Sequence, residues 1–365
     1  MIVEHGGNGR LLAEKNGNSS EKWIDFSANI NPLGVSENLR KVLVESIDRI
    51  TEYPDIKNQY EKDLLRDHHG NHDLEILLSN GAVGLFYELA QILKPKRLLI
   101  LSPTFMEYEK AFYQEGTEII YHHLTSPNFV WTVKDLLSDM DHLKAGDVVL
   151  LCNPNNPTGS VVPVSQLLEI AKKLLERNIH FILDEAFIDF LEDEEKYSFV
   201  PYLSEFTNTI VVRSLTKFYA IPGLRLGYAL GKHPCLTKIN VRRAPWTINA
   251  LALQALPVIL KDQDYQAQTL KWLQEEKDFL YRSLETFSAL TVLKPSVNYI
   301  FFKYTGSKNL REELWRYNIF IRSCSNYRNL SSDYYRVAIR SREENTCLLV
   351  ALKAILGGHE QWKGQ

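Results

Sequence analysis

Five short, almost unbroken apolar runs recur through the first 215 residues, at Arg97 to Leu101, Glu118 to His122, Asp147 to Cys152, His180 to Asp184 and Thr209 to Arg213. Continuous rather than alternating apolar character means strands covered on both faces, hence a mainly parallel sheet sandwiched by helices. The intervening segments agree. An apolar helix opened by Ser79-Asn-Gly81-Ala-Val83 reaches Leu93, a helix begins at Thr104 with Glu107 placed for a capping box, and another runs from Ser165 to Arg177. Ligands in such sheets bind beyond the carboxyl ends of the strands, and the polar motifs of this chain sit there.

The remainder reads as two smaller parts. Residues 1 to 35 are rich in Gly and Asn and form an extended arm; helical patterns follow at Glu37 to Ile50 and at about Ile56 to His68. After Asn249 the register changes to long helices, Ala250 to Lys261 and Tyr265 to Phe287. Strands follow at Asn298 to Lys303, Phe320 to Arg322 and Tyr334 to Ile339, and a helix from Glu343 to Leu356 comes last. The expected division is an arm (1–35) joining the small domain, a large domain (36–249) and a small α+β domain (250–365).

Composition removes several function classes. A net charge of -3 offers no general attraction to nucleic acid or anionic membrane, and no apolar run reaches membrane-spanning length. Four scattered cysteines suit a reduced cytoplasm, and residues 1 to 10 lack the apolar core of a signal peptide. No metal is expected. His68, His69 and His72 have no arrangement of carboxylates or thiols around them that makes a metal site, and His122 and His123 point to opposite faces of a strand.

The chemistry concentrates at strand ends. In Ser214-Leu-Thr216-Lys217, with Arg225 eight residues on, hydroxyls and a guanidinium surround an amine. That is what an anchored phosphate beside an aldehyde-condensing lysine needs. Asp184 ends an apolar strand, where a carboxylate is costly unless it meets a cation such as a protonated pyridine nitrogen. Asn156, in Asn153-Pro-Asn-Asn156-Pro-Thr-Gly159, can donate its amide to a ring oxygen. Gly81 lets the backbone approach a phosphate, which the Ala82 and Val83 amides at the helix start can bind. Phe105 offers a flat apolar face. Each motif alone is also an ordinary turn, cap or core residue; their co-occurrence in this order points to pyridoxal 5'-phosphate (PLP).

The series Ser-Asn-Gly, Pro-Thr-Phe, Asn-Pro-Asn-Asn-Pro-Thr-Gly, Asp-Glu-Ala-Phe, Ser-Leu-Thr-Lys, Gly-Leu-Arg resembles the fold-type I PLP enzymes of the aminotransferase class I/II kind, over nearly the whole chain. That resemblance implies a large domain with a mainly parallel seven-stranded sheet and a smaller α+β C-terminal domain. Two families within the group compete, histidinol-phosphate aminotransferases and the threonine-phosphate decarboxylases of cobalamin biosynthesis. His5-Gly-Gly-Asn8, Phe26 to Gly34, Asp184 to Phe190, Arg213 to Tyr228, Ile321 to Cys324 and Tyr335 to Ser341 look like the decarboxylases.

The resemblance implies further roles. Arg322 and Arg336 look like the pair gripping a substrate carboxylate, and His5 and Asn29 match positions near a substrate phosphate. Tyr53 resembles the tyrosine reaching the cofactor phosphate of a neighbouring subunit in a homodimer. The expected reaction is decarboxylation of L-threonine O-3-phosphate, a small phosphorylated amino acid, to (R)-1-amino-2-propanol O-2-phosphate. Serine-phosphate decarboxylation and histidinol-phosphate transamination are the alternatives. A PLP-binding regulator would need a DNA-binding domain, for which the arm is too short and polar. The chain departs from relatives at Ala82-Val83, where polar side chains are usual, which implies looser cofactor binding. Phe187 stands where aminotransferases carry tyrosine, which counts against a transaminase.

Overall fold

Covering apolar strands on both faces takes a layer of side chains above and below, and the sheet at the centre of this molecule has both. The structure is a computed structural model and describes residues 5–9 and 23–357; the rest of the expected arm lies outside the described residues. The first strand, β1 (Ile24–Asp25), belongs to a separate pair described below. The large sheet holds β2 (Glu75–Ser79), β3 (Arg97–Ser102), β4 (Glu118–His123), β5 (Val148–Cys152), β6 (His180–Asp184), β7 (Thr209–Ser214) and β8 (Gly227–Gly231). Their spatial order is β2-β8-β7-β6-β5-β3-β4. Strands β3 to β7 run parallel, while β8 is antiparallel to both of its neighbours. The expected mainly parallel seven-stranded sheet is what forms.

Strand pleating sends successive side chains to opposite faces. Leu98, Ile100, Val148, Leu150, Ile182, Ile210 and Val212 join one core with the helices Ala82–Leu93, Glu107–Tyr113 and Pro234–Arg242. Leu99, Leu101, Val149, Leu151, Phe181, Leu183 and Val211 join the other, with the helix Val164–Glu176. Only the edge strand β4 is partly uncovered.

The smaller sheet is antiparallel, in the order β12 (Arg322–Ser323), β13 (Tyr334–Ala338), β10 (Tyr299–Tyr304), β9 (Leu290–Val292). Strand β1 pairs in parallel with β11 (Ile319–Phe320), so the segment before the large domain is stitched to the region that follows it. Phe26 continues this by donating to the Phe320 carbonyl at 2.8 Å and accepting from the Ala338 amide at 2.8 Å.

Three local expectations fail for identifiable reasons. The single strand Phe320 to Arg322 is broken at Ile321, because Phe320 pairs with β1 whereas Arg322 pairs with β13. The Glu37 to Ile50 helix ends at Glu45, and a tighter turn, Ile47–Thr51, follows Ser46. No capping box forms at Thr104. Its hydroxyl donates instead to the Asn155 side-chain oxygen (2.7 Å), Glu107 accepts from the Tyr87 hydroxyl (2.6 Å), and the helix starts at Glu107.

At the opposite end of the sheet from the strand-end motifs, His233 Nδ1 accepts from the Cys235 amide (3.1 Å), so its Nε2 carries the proton donated to His180 Nδ1 (2.8 Å). Burial, with His180 alongside, pushes the His233 pKa down to about 4. Below pH 6.5 the unfolded chain takes up a proton that the folded chain refuses, so stability falls as pH falls from about 6.5 towards 4. The expected loss is roughly 1.4 kcal/mol per pH unit over that window. Denaturant unfolding at several pH values should show this contribution as a difference: His233→Asn, which keeps an acceptor for the Cys235 amide, should have a shallower slope than wild type by about that amount, the remainder coming from other buried groups such as His69. An unchanged slope in the variant would refute the assignment.

Candidate active site

Because β5, β6 and β7 are parallel and in register, Cys152 and Asp184 pair across the sheet and Ser214 ends the next strand on the same side. These ends open into a cavity of about 470 Å³ between the large sheet and the small antiparallel sheet. Its walls include every residue singled out from the sequence except Tyr53 and Gly81.

Lys217 follows β7 in a turn. Its ammonium donates to the Ser214 hydroxyl at 3.0 Å, Ser214 and Thr216 share a hydrogen bond of 2.9 Å, and the Lys217 nitrogen lies 5.0 Å from the Phe187 ring centre. Burial lowers the Lys217 pKa and the Asp184 carboxylate opposes that shift. Asp184 is buried in turn, which raises its pKa against the pull of Lys217. Its oxygens accept from the Tyr108 hydroxyl and from the Ala186 amide (2.9 Å). A carboxylate and an ammonium buried together without direct contact are what a partner carrying complementary charge would stabilise.

Gly81 has φ +83°, and a Cβ built there would lie 2.2 Å from Arg225 Nη2. Only glycine permits the guanidinium to lie against this turn, where the helix Ala82–Leu93 begins. Gly81 therefore serves the site by what it lacks. Ala82, Val83 and Arg225 line the same corner of the cavity, beside Ser214 and Thr216. Phe105 packs edge-on against Tyr108 (ring centres 5.4 Å apart) and faces the cavity.

The opposite wall belongs to the small sheet. Arg322 and Arg336 are direct partners across β12 and β13, and both are buried. Arg336 donates to the Asn156 side-chain oxygen and to the Ser27 carbonyl (2.9 Å), while Arg322 donates to the Asn326 side-chain oxygen (2.9 Å). Among the described residues neither arginine is paired with a carboxylate. Asn156 also accepts from the Tyr327 hydroxyl (3.1 Å), which leaves its amide nitrogen as the group able to donate into the cavity.

The segment after β1 completes the enclosure. Asn31 donates to the Phe218 carbonyl (2.8 Å) and the Thr269 hydroxyl (2.8 Å), and its own amide reaches the Lys217 carbonyl (3.1 Å). Asn29, 5% exposed, has neither side-chain oxygen nor nitrogen hydrogen-bonded. Such buried polar atoms are rare without a ligand or water to meet them. His5 sits at the rim, its Nε2 3.0 Å from Glu107.

The residues present therefore fit PLP. A buried lysine can condense with its aldehyde, a buried carboxylate can meet its ring nitrogen, and a glycine-floored cradle holds an arginine and two hydroxyls for its phosphate. Tyr53 does not join the cavity of its own chain. It is 81% exposed and lies against Trp246 in a tilted ring contact, centres 4.5 Å apart. Sequence reasoning missed Tyr108 and Tyr327, which hold Asp184 and Asn156. Tyr108 lies three residues after Phe105, in the first turn of the helix that follows it, a proximity that could have flagged it; Tyr327 carries no such signal.

Comparison with known proteins agrees with this fold. The family model described as aminotransferase class I and II matches residues 21–352. Threonine-phosphate decarboxylase of Salmonella typhimurium is 40% identical over 358 residues, covering 97% of each chain. Among solved structures, histidinol-phosphate aminotransferase from Clostridium acetobutylicum superposes with a TM-score of 0.85 at 30% identity, covering 91% of this chain and 98% of that one. L-threonine-O-3-phosphate decarboxylase from Porphyromonas gingivalis gives 0.80 at 25% identity, covering 91% and 99%. With a family model matched over most of its length and a matching fold, the chain belongs to the aminotransferase class I and II family, in the fold-type I architecture.

Proposed function

We propose that this protein is a PLP-dependent threonine-phosphate decarboxylase, converting L-threonine O-3-phosphate to (R)-1-amino-2-propanol O-2-phosphate and CO2 for the nucleotide loop of cobalamin. The observation that carries the reading is the pair Arg322 and Arg336, buried side by side on the cavity wall with no carboxylate among the described residues to meet them. Desolvated guanidinium groups are costly unless an anion completes them, and a substrate carboxylate offers bidentate geometry.

When bound, PLP supplies an electron sink conjugated to the substrate amine. Lys217, Asp184, Ser214, Thr216, Arg225, Gly81 and the Ala82 and Val83 amides would hold it, with Asn156 at its ring oxygen and Phe105 against one face. The protein selects the bond that breaks by orientation. Arg322 and Arg336 would fix the carboxylate while Asn29 and His5 take the distal phosphate, so that the two anionic ends of the substrate are held apart and the bond from Cα to the carboxylate is the one these residues orient. The walls of Phe105 and Phe187 exclude water. The Lys217 amine, its pKa lowered by burial, moves the proton that replaces CO2 at Cα.

The active unit is read as a homodimer. Tyr53 is exposed, as are Val44, Ile47, Ile50 and Ile56 close to it in the sequence, apolar side chains that a second copy would cover while Tyr53 reaches its cofactor phosphate. Cys152, Cys235, Cys324 and Cys347 are all unpaired, which suits a reducing cytoplasm.

The test is to incubate the PLP-loaded protein separately with L-threonine phosphate and L-serine phosphate, without a 2-oxo acid, and to follow CO2. Release from threonine phosphate at the higher kcat/KM is expected. The substrates differ by one methyl group, worth ~1–3 kcal/mol in a fitted pocket. Amino transfer from histidinol phosphate to 2-oxoglutarate without CO2 release would overturn the reading.

A further inference from the structure

The carboxylate-gripping arginines sit on the small sheet, whereas Lys217, Asp184 and Asn156 sit on the large one. The distance between the two groups is therefore set by whatever fastens one sheet to the other. The connection between β12 and β13 crosses that gap. Within four consecutive residues it alternates between holding the site and gripping the large domain. Asn326 accepts from Arg322 (2.9 Å) and donates to the Met106 sulfur (3.3 Å). Tyr327 donates to Asn156 (3.1 Å), and the Arg322 guanidinium lies 5.5 Å from its ring centre. The Arg328 guanidinium meets Glu109 through two hydrogen bonds, Nη2 to Oε1 at 2.7 Å and Nε to Oε2 at 3.3 Å, and lies 4.3 Å from the Tyr121 ring centre. The Arg328 carbonyl accepts from Ser102 (3.1 Å), and Asn329 donates to the Leu124 carbonyl (3.1 Å).

We infer that Arg328, clasped by Glu109 and Tyr121, is a positioning residue that sets Arg322 and Tyr327 against the large-domain half of the site. The inference rests on the proposed carboxylate-gripping role of Arg322. The clasp is half exposed on the arginine side, with side-chain exposures of 52% for Arg328 and 30% for Glu109. Exposed ion pairs of this kind contribute little to global stability. A bidentate, ring-stacked guanidinium instead fixes position and direction, which a lysine cannot copy. Misplacing a gripping group by an ångström is costly to binding even where the fold survives.

The consequence is selective. Arg328→Ala, Arg328→Lys and Glu109→Gln should each raise KM for L-threonine phosphate roughly tenfold. The inhibition constant of the product, (R)-1-amino-2-propanol O-2-phosphate, should stay within about twofold of wild type, because it lacks the carboxylate that Arg322 would hold. Combining Arg328→Ala with Glu109→Gln should add nothing, since either change opens the same clasp. Arg316→Ala, which removes the exposed ion pair with Glu313 elsewhere in the small domain, should change neither constant. Equal weakening of substrate and product would show a merely structural role and overturn the inference, as would an unchanged substrate KM. If the wild-type enzyme releases no CO2, the proposed function falls instead. The clasp is then read from calorimetric affinities of the PLP-loaded wild type and variants for the same two ligands, with the same split expected and equal weakening of the two, or none, overturning it.

Discussion

Lys217→Ala is expected to leave a folded protein whose CO2 release from threonine phosphate is lower by ~10³-fold or more, since it loses both the condensing amine and the proton carrier. Among the described residues Lys217 donates to Ser214 and its nitrogen lies over the Phe187 ring, with no carboxylate in direct contact, so truncation breaks no buried ion pair. Asp184 keeps its donors from Tyr108 and Ala186 in the variant. A shift in the cofactor's visible absorbance, with retained circular dichroism, would show that the site persists while the chemistry is gone. Turnover within tenfold of wild type would remove Lys217 from the mechanism.

The second large effect concerns stability. Arg213 stands beside Ser214 on β7 and is 2% exposed, on the side of the strand away from the cavity. It meets Glu185 at 2.9 Å, Asp189 at 3.4 Å and Glu194 at 2.7 Å. Glu185, adjacent to Asp184, is wholly buried and accepts from Ser198 (3.0 Å) and the Phe199 amide (2.7 Å). Burial raises its pKa, and Arg213 opposes that shift. Arg213→Leu strands three carboxylates, one of them fully enclosed, and should cost ~3–5 kcal/mol in denaturant unfolding. The pH dependence identifies the cause. Without Arg213 the folded state holds a proton on Glu185 that the unfolded state releases, so the variant should recover stability as pH falls from 7 towards the ordinary glutamate range. Adding Glu185→Gln should recover part of the loss at pH 7. A variant as stable as wild type would refute the account, because the ends of β6 and β7 would then need no such anchor.

The two variants separate what local sequence reports from what it hides. The catalytic face of β7 was legible because Ser214, Thr216 and Lys217 cluster at the end of an apolar run, and a charge in that position has few structural excuses. Asp184 was legible on the same argument. Arg213 and Glu185, one residue from each, were not, because pleating sends them to the other face of the sheet. Their partners Asp189, Glu194 and Ser198 come from a loop without periodicity. The Thr104 to Glu107 spacing matched a capping box and was misleading: both side chains found stronger partners in Asn155 and Tyr87.

Distance along the chain explains the rest. Tyr108 reaches Asp184 across 76 positions, Tyr327 reaches Asn156 across 171, and Arg336 reaches Asn156 across 180. No hydrophobic period links such pairs; a helix covering the large sheet brings Tyr108 to Asp184, and packing of the small-sheet region against the large one brings Tyr327 and Arg336 to Asn156. The sequence by itself determined the parallel sheet and the chemistry at its strand ends, because burial on both faces and the cost of a charge there are local properties of short runs. Only the tertiary structure decided which tyrosines hold Asp184 and Asn156, that Tyr53 lies outside its own chain's cavity, and that Arg328 clasps Glu109. Those contacts depend on how distant segments dock, and a docking geometry is a property of the whole fold.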